Sequence, residues 1–89
     1  MTRSPVVTVN ASVALAVTGE AERALKKLQS LTGLASMQNY APFHLARGDV
    51  LERLSRSKEA REAYDQALQC SVSEPVAEAI RGRLRGCVR

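Results

Sequence analysis

The stretch YAPFHLARGDVLERLSRSKEAREAYDQAL, residues 40–68, decides the fold. Proline suits a first helical turn, where its missing N–H would be unpaired anyway, so Pro42 marks a helix start. Beyond it Leu45, Ala46, Gly48, Val50, Leu51 and Leu54 recur at three- and four-residue spacing, with Arg47, Asp49, Glu52 and Arg53 largely between them. That period predicts a helix from about Ala41 or Pro42 to Leu54 with a buried stripe. Ser55-Arg56-Ser57 supplies a turn, with Ser57 as N-cap of a second helix from Lys58 to about Cys70. Its apolar face is Ala60, Ala63, Tyr64, Ala67 and Leu68. The two helices make an antiparallel hairpin.

The same pattern occurs earlier, offset by 36 residues: Ser12 matches Gly48, Leu15 Leu51, Gly19 Ser55, Ala24 Ala60, Leu28 Tyr64 and Leu31 Ala67. A repeat of this period points to stacked helical hairpins. In the first copy a helix is expected over Pro5 to Val17 and another over Glu20 to Leu31, with Ala21, Ala24, Leu25, Leu28 and Leu31 inward. Thr32-Gly33 closes it, as glycine often does, and Leu34 to Asn39 is a connector. Val6, Val7, Val9, Val13 and Val17 would suit strands equally well. The helix is preferred because strict alternation fails across Asn10 to Ala16 and because the repeat transfers the helical reading from the second copy. After Ser73-Glu74-Pro75, a last helix to about Arg85 carries Val76, Ala79, Ile80 and Leu84 on one side and caps the stack. One all-α domain over 1–89 is therefore expected: hairpin 1 over about 5–32, hairpin 2 over about 41–70 and a capping helix over about 75–86.

Composition agrees with helices. The chain has 89 residues, 45% of them apolar and 3% aromatic, so its core must be built from Leu, Val and Ala. A domain this small buries only about 60 to 65% of its unfolded surface. The net charge is +4, with Arg81, Arg83, Arg85 and Arg89 crowded at the end. These cations suit the negative end of a helix dipole. No aromatic residue is interleaved with them, which argues against single-strand nucleic-acid binding. The stretch from Val6 to Val17 superficially resembles a signal peptide. Thr8, Asn10 and Ser12 interrupt it, only Arg3 precedes it, and it is too short and polar to span a membrane.

Nothing in the sequence assembles a catalytic centre. His44 is the only histidine, and Asp49, five residues on, falls on a different helix face, so the expected role of His44 is packing or hydrogen bonding. Cys70 and Cys87 lack zinc-ligand spacing and read as small apolar filler rather than a disulfide. No Gly-rich phosphate loop is present. The chain is read as a non-enzyme with no cofactor and no metal.

Two surfaces are candidates for protein contact. The Pro5–Val17 helix is apolar nearly all round, and its own hairpin covers only one side, so Val6, Val9, Val13 and Val17 are expected to meet something else. A preceding part of a longer protein, a second copy of the chain and a separate partner are all open. On the first helix of hairpin 2, Leu45 sits beside the dense mixed charge of Arg47, Asp49, Glu52, Arg53 and Arg56. Leu45, Asp49, Glu52 and Arg53 are the candidate contacts there, against the plainer alternative of a salt-bridged solvent face.

The hairpins resemble tetratricopeptide repeats in Gly48, Ala60, Tyr64 and Ala67, with His44 where an early aromatic is usual and the proline after the second helix shifted to Pro75. This resemblance implies a fragment of a right-handed α-α superhelix that binds protein. A second resemblance lies in Ser4-Pro5-Val6-Val7 with Asn10 and Val13-Ala14, in Tyr40, Pro42, Phe43, His44, Ala46, Arg47, Asp49, Leu51, Arg53, Leu54 and Arg56, and in Ala63-Tyr64-Asp65 with Ala67-Leu68. These strings are similar to the C-terminal, tetratricopeptide-like extension of one group of bacterial extracytoplasmic-function sigma factors. The sequence departs from that pattern at Ala11, in a following turn one residue shorter, and at Ser55. The resemblance implies a cytoplasmic regulatory domain in transcription initiation. Its partners would be the upstream regions of the same sigma factor or an RNA polymerase-associated protein, with pairing of two copies through the first helix as a further expectation and no direct nucleic-acid or membrane contact. The promoter-melting and promoter-reading regions do not fit in 89 residues, so a fragment, a truncated frame and a stand-alone relative are all open. The alternative is a free-standing tetratricopeptide adaptor or self-associating scaffold unrelated to transcription.

Overall fold

A computed structural model describes residues 5–70 and 72–86 of the chain, and among these every regular element is helical. In order they are α1 (Pro5–Val17), α2 (Ala21–Gln29), the one-turn α3 (Ala35–Gln38), α4 (Ala41–Arg53), α5 (Ser57–Gln69) and α6 (Glu74–Gly86). The valine-rich α1 is a helix and not a strand. Its one strongly buried polar group, Ser12, is satisfied within the helix by donating to the Thr8 carbonyl at 2.8 Å.

The 36-residue repeat extends to individual hydrogen bonds. Glu20 N–H reaches the Leu15 carbonyl and Arg56 N–H the Leu51 carbonyl, both at 2.9 Å. Between them Gly19 takes φ +93° and Ser55 φ +61°. A left-handed residue with a bond back over the last turn is how helices commonly stop, and glycine is favoured there because it has no Cβ to clash. Hairpin 2 makes the same turn with a serine. This geometry also corrects the capping reading. Ser57 is the first residue of α5, and Arg56 occupies the N-cap position without a side-chain cap bond. Its guanidinium instead grips Glu59 through Nε at 2.6 Å and Nη2 at 2.8 Å.

α4 is the centre of the molecule, packed by α1, α2 and α5, while α6 lies on α5. The core runs through Val9, Ala16, Leu25, Leu28, Met37, Phe43, Val50, Leu51, Tyr64 and Ile80, lined by alanines at 24, 46, 60, 63 and 67. Helices approach closely where residues are small. At Gly48 a methyl group would sit 2.6 Å from Cζ and 2.7 Å from Cδ1 of Tyr64, so the tyrosine ring lies directly on the α4 backbone.

Three further expectations change. Leu34–Asn39 is not a plain connector: it holds α3 and puts Met37 into the core. α4 buries Phe43 and His44 as well as Ala46, Gly48, Val50 and Leu51 of the predicted stripe, because it is covered on several sides, whereas Leu45 and Leu54 are only half-buried. In α6 the buried line is Ala77 and Ile80, with Leu84 half-buried, while Val76 and Ala79 are exposed. α6 leans on α5 with one edge of its apolar face, and the other edge borders a cleft.

Candidate protein-docking groove

That cleft lies between α4 and α6 with α5 beneath. Its volume is about 410 Å³. Leu45 and Asp49 come from α4, Tyr64 from α5, and Pro75, Val76, Ala79, Ile80 and Arg83 from α6. Local sequence explains each contribution. Leu45 and Asp49 are one turn apart on α4, and Val76, Ala79, Ile80 and Arg83 follow the spacing that keeps residues on one helix side. Pro75 sits in the first turn of α6, where it needs no hydrogen-bond acceptor.

The floor is apolar and one wall is charged. Arg83 Nη1 lies 3.4 Å from Asp49 Oδ1 and 3.6 Å from Glu52 Oε1, so it ties α6 to α4. Arg53 Nε reaches Asp49 Oδ2 at 3.2 Å. The Tyr64 hydroxyl donates to Glu52. Burial, reinforced by the Glu52 hydrogen bond and charge, holds the Tyr64 phenol well above the usual tyrosine range. The arginines are largely exposed, so these ion pairs add little stability. Their effect is positional, since they fix alternating charge beside an apolar slot. Such a slot suits an apolar side chain of a peptide or helix flanked by polar groups.

The candidate contact residues fall on two separate surfaces. Leu45 and Asp49 line the groove, and Glu52 and Arg53 complete its charged wall. Val6, Val13 and Val17 lie on the outward side of α1, with exposures of 39, 36 and 63%. Val9 is in the core, 2% exposed, because α1 packs against α2 and α4 on that side. Residues not foreseen as contacts are Tyr64, Val76, Ala79, Ile80 and Arg83. Their helical spacing was legible, but which edge of α6 stays open depends on how it leans on α5.

Other polar residues serve the structure. His44 donates from Nε2 to the Gln38 carbonyl at 2.9 Å, its ring edge-on to Phe43. Cys70 is a buried free thiol, and burial pushes its pKa up, away from reactivity. Cys87, which likewise reads as filler rather than a disulfide partner, lies outside the described residues. Arg81 pairs with Glu74 at 3.2 Å and Glu78 at 3.6 Å, so with Arg83 already tied to α4 the arginines among the described residues of α6 do not form a continuous bare cationic strip. Among the described residues no group of three or more His, Cys, Asp or Glu is placed to hold a metal ion, and no helix is long and apolar enough to cross a membrane.

Over 81 residues the chain is 36% identical to an uncharacterized protein of Rhizobium meliloti (strain 1021). The match covers 91% of this chain and 19% of that protein, so the chain spans about a fifth of the length of this relative. No solved structure matches. Residues 4–85 match the family described as the tetratricopeptide repeat-like domain. With two antiparallel hairpins, a glycine under a tyrosine ring and a capping helix beside an open groove, the chain belongs to the tetratricopeptide repeat-like domain family.

Proposed function

We propose that this chain is a non-catalytic protein-interaction unit that works within a longer polypeptide, where its α4/α6 groove takes a segment of protein. The groove is the observation that carries this reading: an apolar slot beside Tyr64 with Asp49 and Arg83 on its rim. The length relation with the Rhizobium protein supports the second half, because there a sequence of this kind is one part of a longer chain. Membership of a tetratricopeptide repeat-like family supports protein binding in general.

The finer reading is that the polypeptide is an alternative sigma factor and that this unit is its regulatory C-terminal domain, acting in the cytoplasm on the sigma factor's upstream regions or on a polymerase-associated protein. The sequence strings from Tyr40 to Leu68 support it. The test is a pull-down with the full gene product, with and without these residues, beside an Ala79→Arg variant. Ala79 is exposed and lines the groove, so a long cationic side chain fills the slot without disturbing the core. Loss of one partner in both the deletion and Ala79→Arg supports the groove. Recovery of polymerase or sigma regions supports the transcriptional role, and recovery only of proteins unrelated to transcription points to the free-standing adaptor. Unchanged capture by Ala79→Arg refutes the groove.

A further inference from the structure

We propose that the outward side of α1 is a self-association surface that pairs in parallel with α1 of a second copy of this chain. The inference concerns a different face from the groove and stands independently of it. Asn10, Val13 and Val17 are exposed at a spacing of three and four residues, and Val6 extends the same line four residues earlier. The four positions therefore follow the 4-3-4 rhythm of a coiled-coil seam, with Asn10 and Val17 at a positions and Val6 and Val13 at d positions. Val7, 53% exposed, and Ala14 flank the seam on one side.

Three observations select a second copy as the occupant. First, α1 carries no charged side chain at all, PVVTVNASVALAV, whereas the chain as a whole has a net charge of +4. Two like-charged molecules meet at least electrostatic cost through a neutral face. Second, the other end of the molecule offers no apolar complement, since α6 spends its buried line, Ala77 and Ile80, on α5, and stacking its outer side on valines would desolvate the ion pairs that Arg81 and Arg83 make with Glu74, Glu78, Asp49 and Glu52. Third, the seam contains one asparagine at an a position, the device by which parallel helix pairs fix register at some cost in stability. In a parallel pair Asn10 meets the same residue of the second copy and the two amides hydrogen-bond. In an antiparallel pair it faces Val13, and the amide is buried without a partner. A contact built on one three-turn helix belongs with small interfaces of under about 1,200 Å² in total. The pairing is thus a concentration-dependent equilibrium and not an obligate dimer.

The test is sedimentation of the 89-residue chain from about 10 μM to about 1 mM, with circular dichroism as a control for folding. The average mass should rise towards that of a dimer. Val13→Glu and Val17→Glu, at exposed positions, should each raise the dissociation constant about a hundredfold, since each acts twice across a two-fold contact. Asn10→Val should tighten association and broaden it to mixed species, and in the unmodified chain the Asn10 side-chain amide NMR signals should shift with concentration. A helical chain that stays monomeric at about 1 mM overturns the proposal, as does association that persists in both glutamate variants. Association that leaves the Asn10 amide signals unmoved overturns the parallel pairing. None of these variants touches the α4/α6 groove, so a failure here is distinct from a failure of the groove reading.

Discussion

Replacing Gly48 by alanine isolates the place where the Tyr64 ring of α5 lies on the α4 backbone. In a helix interior this exchange ordinarily stabilises by about 0.5–1 kcal/mol, because glycine loses more backbone entropy on folding. Here the added methyl meets Tyr64 Cζ at 2.6 Å and Cδ1 at 2.7 Å. The ring has little room to retreat, being 1% exposed and tethered through its hydroxyl to Glu52. Overpacking of a closed core costs about 1–3 kcal/mol, and the rigid ring places this case in the upper half, leaving a net loss of about 1–2 kcal/mol. For a domain of this size each kcal/mol moves the melting temperature by about 4–8 °C, so Gly48→Ala should melt about 5–15 °C lower. The internal control is Gly82→Ala in α6, where the nearest atom to an added methyl is Arg85 Nη2 at 3.8 Å. That change should raise the melting temperature by about 2–8 °C. Thermal melts followed by helical circular dichroism measure both. A double-mutant cycle with Tyr64→Leu identifies the cause, because the cost of Gly48→Ala should largely vanish once the rigid ring is gone. A Gly48→Ala protein as stable as the parent, or a cost unchanged in the Tyr64→Leu background, would refute the reasoning.

The left-handed Ser55 gives an opposite expectation: Ser55→Gly relieves a conformation that disfavours a Cβ and should stabilise by about 1 kcal/mol, read as a higher urea midpoint at unchanged slope. Tyr64 predicts alkaline behaviour. Its folded-state pKa is raised by burial and by Glu52, so its contribution is complete below the unfolded tyrosine value of about 10 and is lost as pH rises above it. Titration of tyrosinate absorbance should show Tyr64 ionising only with alkaline unfolding, and Tyr64→Phe should flatten the fall in stability above about pH 10; equal slopes for the two proteins would contradict this.

How far the sequence alone reaches is clear from individual residues. Period and punctuation determine the helices: the stripe after Pro42 sets α4, and the 36-residue offset carries the helical reading to the β-branched α1. Gly48 and Tyr64 were each legible as positions of the tetratricopeptide pattern, but that the ring of one lies on the backbone of the other is seen only in the packed helices. The N-cap of α5 was misplaced since a serine at 57 looks like a cap, while the turn is set one residue earlier by the conformation of Ser55. α3 escaped notice because one helical turn is too short to show a period.

What only the tertiary structure decides is which part of each apolar face is covered. Val9 and Val13 are alike in sequence, yet α2 and α4 bury one and leave the other at 36% exposure. Ala77 and Val76 are neighbours, but the lean of α6 on α5 buries the alanine and leaves the valine facing the groove. Arg83 meets Asp49 across 34 positions of chain, a contact that no local pattern announces. Local sequence fixes the direction in which a side chain leaves its helix; the packing of helices against one another determines what waits there.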